Sequence, residues 1–196
     1  LARGNWEALA ICHNETSSGI TQDTVELAEM CLRHSVSFIL DGITSVGGLP
    51  VHPQEWGAEA VVVGAQKSTA GPSGIAAIAV NQHFVDRCNA IRNQDDSNPT
   101  YYLDILPALK KGDDDQTPWT PAINAAMGWS AALDSLKEEG LEERWDRCST
   151  MAKGVRKLFL DLGFELLADE YSRSSTVTAI MYPCLLYTSP SPRDRT

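Results

Sequence analysis

The sequence predicts an α/β protein with a doubly wound, mostly parallel sheet flanked by helices. Three observations lead there. Apolar runs of strand length recur at residues 7–12, 36–40, 60–63 and 75–80. A segment of helical periodicity separates the first two, and the joints between runs are short and rich in small or polar residues. Strand, helix and strand in close succession pair in parallel through a right-handed crossover.

Taken in order, residues 7–12 form a short buried strand, and the polar loop 13–19 leaves its carboxyl end. The chain therefore enters mid-domain. Residues 21–34 repeat Val25, Ala28, Cys31 and Leu32 at helical spacing, with Thr21 or Asp23 to cap the start. The run 36–40 ends in Asp41. Gly47 and Gly48 break the next loop, residues 53–56 fit a helical turn, and a third strand follows at 60–63. A loop carrying Lys67 joins it to the fourth, at 75–80.

Residues 93–121 hold Asp95, Asp96, Asp113, Asp114, Asp115 and four prolines. They read as an irregular excursion of solvated acidic loops with one short helix near 103–109. A helix over 123–139 stops at Gly140. A second helix carries Leu141, Trp145, Cys148, Ala152, Val155, Phe159 and Leu162 on one stripe and stops at Gly163. That stripe, Trp145 included, is expected to be core. Residues 164–167 and 175–181 alternate as strands do, and could begin another domain. From 184 to 196 periodicity vanishes, and this tail reads as an appended, non-native segment.

Composition excludes several functions. With 16 basic against 26 acidic residues and a net charge of −10, the chain repels a nucleic-acid backbone or an anionic membrane. No apolar run has the length of a membrane span, so the protein reads as soluble and intracellular, in the cytoplasm or an organelle. The five cysteines are scattered and never in CxxC spacing, against a disulfide framework or a zinc site. Most are expected to be buried small apolar residues.

Chemistry concentrates between 36 and 80. Lys67 stands in a loop of small residues just past a strand, where it is either an ordinary exposed lysine or a presented amine. The spacing of a phosphate loop is absent. Asp41 ends the preceding strand on the same carboxyl edge, where open α/β sheets bind ligands. It either caps the next turn or pairs with a cationic ring nitrogen. Gln66 adds an amide donor, and Thr16, Ser17 and Ser18 add hydroxyls that are otherwise turn residues. Amine, carboxylate and donors on one edge are what pyridoxal 5'-phosphate needs: a lysine for the Schiff base and an aspartate to keep the ring nitrogen protonated.

The motifs at 13–19, 41–48 and 64–74 resemble, in order and spacing, the class V pyridoxal-phosphate aminotransferases, nearest the alanine–glyoxylate/serine–pyruvate branch. Residues 102–105, 119–123 and 139–142 extend the match, so it covers 8 to about 182. The resemblance implies the transferase fold of type I. Residues 1–165 would be part of the large cofactor-binding domain and 166–183 the start of the small one. It also implies that Lys67 forms the Schiff base, Asp41 pairs with the pyridine nitrogen, Gln66 and Thr16 bond the phenolic oxygen, and Ile43 packs under the ring. Thr120 would reach the phosphate of a neighbouring subunit in a homodimer. Alanine or serine would donate the amino group, and glyoxylate or pyruvate would accept it. Departures are informative too. Thr117 replaces a frequent tyrosine, and the phosphate loop, the ring-stacking aromatic and the carboxylate-gripping arginine would lie outside this chain, an internal fragment expected to be inactive alone. Alternatives are a cysteine desulfurase-like lyase, which would place a histidine where Gln66 stands, or a non-catalytic remnant.

Overall fold

The computed structural model describes residues 4–94 and 100–182. In chain order the elements are β1 (Ala8–Cys12), β2 (Asn14–Glu15), β3 (Ile20–Thr21), α1 (Val25–Arg33), β4 (Ser37–Asp41), β5 (Ala60–Gly64) and β6 (Ala76–Val80). Helices α2 (Gln82–Gln94), α3 (Ile105–Gly112), α4 (Ile123–Glu139) and α5 (Leu141–Asp161) follow. The main sheet runs β1-β4-β5-β6, with β1, β4 and β5 parallel and β6 antiparallel to β5. The joint 65–75 holds no helix to carry a crossover, so β6 returns alongside β5 in the opposite sense.

Strand β4 is the centre of the core. Phe38 and Leu40, 1% and 0% exposed, share one face of the strand, and Ser37 on the other face is 3% exposed, so both faces are covered, as a central parallel strand requires. Ala28 and Cys31 of α1 cover one face, and Val36 and Val61 complete the cluster. The expected turn at 53–56 is present as hydrogen-bonded turns over 52–58, and it sets Trp56 against the same core.

Several expectations are corrected. Helix α1 starts at Val25, because Ile20 and Thr21 pair with Glu15 and Asn14 in a two-stranded ribbon. Thr21 is thereby removed as a cap, and Asp23 Oδ1 accepts from the Val25 amide at 3.1 Å. With that start, Ala28 and Cys31 turn inward while Val25 and Leu32 face out, Leu32 at 79% exposure. The apolar stripe of α5 is only partly covered: Ala152 is buried, Trp145, Cys148 and Phe159 are half-buried, and Leu141, Val155 and Leu162 are exposed. Among the described cysteines, all free, Cys31 alone is buried.

The pieces 164–167 and 175–181 are not strands. They share one isolated bridge, Leu166 with Ile180, flanked by bonds from the Leu167 amide to the Ala179 carbonyl and from the Met181 amide to the Glu165 carbonyl. Between them the chain doubles back to the ribbon, where Arg173 bridges Ile20 and the Ser174 amide donates to the Gly19 carbonyl at 2.9 Å. In the excursion, the short helix is α3, capped by Asp104, whose carboxylate accepts from the Leu106 amide and pairs with Arg92. Asp113, Asp114 and Asp115 are exposed as expected, whereas Asp95, Asp96 and the tail 184–196 lie outside the described residues.

Truncating Phe38 leaves a void at the centre of the sheet, so Phe38→Ala is expected to cost about 3–5 kcal/mol in urea unfolding. Leu32→Ala, on the outer face of α1, is expected to change stability by less than about 0.5 kcal/mol.

Candidate cofactor site

The register of the parallel strands places three carboxyl ends side by side: Cys12 lies opposite Asp41, and Asp41 opposite Val62. Loops 13–19, 42–49 and 65–75 leave that edge. Asp41 is half-buried. Its backbone oxygen accepts from the His13 amide at 3.0 Å, and its Oδ1 accepts from the Ile43 amide at 3.0 Å. The turn-capping role is thus real and occupies one carboxylate oxygen. Among the described residues no donor is bonded to Oδ2, which leaves its lone pairs for another partner.

Ile43 is half-buried against the end of β5, where a Cβ on Gly64 would come within 3.0 Å of Ile43 Cγ2. Gln66 and Lys67 are exposed. Lys67 and Thr16 meet on the wall of one cleft of about 570 Å³, together with Thr44, Ser68, Arg144 and Thr176. Asp41, Ile43 and Gln66 occupy the same sheet edge without lining that cleft. Thr120 is exposed in the segment before α4, next to Trp119, whose ring stacks on Tyr102 at 5.0 Å, and takes no part in the cleft.

Beneath the loops is a buried polar network. Asn14, 1% exposed, donates from Nδ2 to Thr44 Oγ1 at 3.1 Å and Thr176 Oγ1 at 3.1 Å, and accepts from Thr21 Oγ1 at 2.8 Å. Thr44 Oγ1 donates back to the Asn14 carbonyl, and the Thr44 carbonyl accepts from Ser68 Oγ at 2.7 Å and Thr176 Oγ1 at 3.2 Å. Four segments therefore share one set of bonds. Beside it, His13 is buried with Nδ1 unpartnered and its ring edge-on to Trp56 at 5.3 Å; burial pushes its pKa down, which keeps the imidazole neutral.

Arg144 and Glu139 complete the wall. The Arg144 guanidinium donates to the Gly47 carbonyl, the Ser68 carbonyl and Glu139 Oε2. Glu139 also accepts from Arg147, and the bonds from Arg147 and then Arg144 hold its carboxyl down at about 2. Sequence reasoning missed Thr44, Ser68, Arg144 and Thr176 as partners. One signal was available: Arg144 sits in the first turn of α5, where the helix dipole disfavours a cation.

An accessible amine and a carboxylate with one uncommitted oxygen on the same sheet edge fit the donor set of a pyridoxal phosphate ring. Among the described residues no cluster could hold a metal ion, and no helix is long and apolar enough to cross a membrane.

Comparison with known proteins gives a consistent picture. The family model described as aminotransferase class-V matches residues 2–183. An uncharacterized aminotransferase of Methanocaldococcus jannaschii is 35% identical over 178 residues, 90% of this chain and 45% of that protein. A serine–glyoxylate aminotransferase from Hyphomicrobium methylovorum is 33% identical over 180 residues, 90% of this chain and 44% of that protein. Among solved structures, a ureidoglycine–glyoxylate aminotransferase from Bacillus subtilis superposes with a TM-score of 0.80 at 26% identity, over 91% of this chain and 46% of that one. The chain thus spans less than half the length of these curated relatives.

Two outcomes are expected. Asn14→Ala orphans buried partners at a cost of about 1–3 kcal/mol each, so thermal unfolding should come earlier and amides in 13–19 and 42–49 should exchange faster. The Glu139 carboxyl is depressed in the folded state, so its contribution is full above the ordinary 4.5 and is lost as pH falls toward about 2. The stability difference between the parent and Glu139→Gln should therefore be constant above pH 4.5 and close below it, read by urea unfolding at stepped pH.

Proposed function

Because the chain belongs to the class-V aminotransferase family, we propose that the whole protein catalyses pyridoxal-phosphate-dependent transamination. The donor is a small amino acid such as alanine or serine, and the acceptor a 2-oxo acid such as glyoxylate or pyruvate. The names of relatives support this substrate class: serine–glyoxylate and alanine–glyoxylate aminotransferases are among them.

One observation carries the reading: Lys67, three residues past the end of β5, and Asp41, the last residue of the adjacent parallel strand β4, share one carboxyl edge. When bound, the cofactor supplies an electron sink that stabilises negative charge at the substrate's α-carbon. The chain's own residues do the rest. Lys67 Nζ would hold the cofactor while the site waits for substrate and, once released, would be the base that takes up and returns the proton of the substrate's α-carbon. Asp41, through its uncommitted Oδ2, keeps the ring nitrogen protonated, since a carboxylate beside a cation favours the charged pair. Gln66 and Thr16 donate to the phenolic oxygen, and Ile43 supports the face of the ring.

Thr120 stands apart from this chain's own cleft, which supports a role for it at the phosphate of a second copy. The homodimer is part of the proposal for that reason; the assignment of 1–165 to the large domain and 166–183 to the start of the small one is proposed from the family match over residues 2–183. Gln66, where a lyase of this fold would use a histidine, favours transamination over desulfuration.

The test is chemical. Borohydride reduction of the whole protein loaded with pyridoxal phosphate, followed by peptide mapping, should place the cofactor on Lys67. Lys67→Ala should abolish both the label and amino transfer from alanine or serine to glyoxylate. A label on another lysine, or sulfide release from cysteine as the main reaction, would overturn the assignment.

A further inference from the structure

Resting on the transaminase reading above, we infer that Arg144 is a positioning residue for it, its guanidinium fork fixing the loop that carries Lys67 against the loop that follows Asp41. Nε donates to the Gly47 carbonyl at 2.8 Å, and Nη2 to the Ser68 carbonyl at 2.7 Å. Ser68 is the sequence neighbour of Lys67, and Gly47 lies in the loop that opens at Asp41. A planar guanidinium presents its donors at fixed angles. The two carbonyls are therefore held at a separation set by covalent geometry, where the loops alone would leave it to soft backbone torsions.

The fork is itself anchored. Nη1 donates to Glu139 Oε2 at 2.9 Å, and the Arg144 side chain is only 16% exposed. Glu139 ends α4, Gly140 makes the joint at φ 87°, and Arg144 lies in the first turn of α5, so the corner between the two long helices carries the clamp. A cation there opposes the helix dipole. Its placement is thus explained by what it holds and by Glu139, and not by helix stability. Arg144 bonds only backbone atoms of the two loops, so it acts through the placement of Lys67 and touches no reacting group.

Ser68 and Gly48 bring the same loops together. Ser68 Oγ donates to the Thr44 carbonyl, and a Cβ on Gly48 would come within 3.0 Å of Ser68 Oγ and 2.4 Å of Thr176 Cγ2. Arg144 adds a second attachment, to the Ser68 carbonyl where the first uses its hydroxyl, so the two loops are tied at more than one point.

The whole protein tests this with Arg144→Gln and Arg144→Lys. One readout is amide exchange over 43–49 and 64–71 without cofactor. The other is a pyridoxal phosphate titration, trapped with borohydride and counted on the Lys67 peptide per folded molecule. Arg144→Gln should speed exchange in both loops and raise the half-loading concentration about tenfold, the equivalent of one charge-assisted hydrogen bond. Arg144→Lys, which keeps a donor to one carbonyl, should recover part of that. A purely structural role would lower the plateau and leave the midpoint in place. An unmoved midpoint in Arg144→Gln, with the parent loading normally, would overturn the positioning role alone. Absence of cofactor on Lys67 in the parent would overturn the transaminase reading and the positioning role with it.

Discussion

The side-chain amide of Asn14 is the interaction on which the rest of the site depends. It is buried where water cannot replace a lost partner, and an amide left unbonded there costs several kcal/mol. Its bonds go to Thr44 in the loop after β4, Thr21 in the ribbon and Thr176 in the segment after α5. What fixes these segments is mutual satisfaction of polar groups, which is directional and so specifies a single arrangement.

The division of labour between sheet and loops follows from that. Hydrophobic burial at Phe38, Leu40 and Val61 sets the strands and hence the register that aligns Asp41 with Val62. Burial says nothing about the angle at which loop 65–75 leaves the sheet. That angle is set by close contacts: Trp129 of α4 donates to Thr69 Oγ1 at 2.9 Å, and a Cβ on Gly71 would come within 2.6 Å of the Trp129 ring. The helix that follows the excursion thereby braces the loop of Lys67 at Thr69 and Gly71, while Arg144 holds it at Ser68. A rigid scaffold with irregular loops pinned at several points is how a reactive side chain is presented without being buried.

Legibility in the sequence tracks how local the determining interaction is. Strands β4 and β5 were readable because a parallel strand covered on both faces is a continuous apolar run, and the placement of Asp41 and Lys67 on one sheet edge was readable because the first ends such a run and the second follows one by three residues. Helix α4 was readable to the residue because Gly140 stops it. Helix α2 carries no buried residue, so it left no stripe to find. The α5 stripe was a true periodicity with too little packed against it. The strand-like alternation of 164–167 and 175–181 was overridden by long-range bonds from Ser174 and Thr176 to the ribbon and loops, which no local pattern encodes. Arg144 escaped for the same reason, since both loop carbonyls it binds lie far back in the chain.

The charges of the cleft complete the picture. Lys67, Arg144 and Arg147 all line it, in a chain of net charge −10. Arg144 has its guanidinium divided among two carbonyls and Glu139, and Arg147 gives Nε and Nη2 to the same carboxylate. Glu139 stays ionised down to about pH 2, so this pairing persists across the working range. Both guanidinium groups are thus engaged, whereas Lys67 has no ion-pair partner among the described residues. A cleft whose arginines are held in structural bonds leaves Lys67 as its exposed amine, which is the arrangement the proposed chemistry would need.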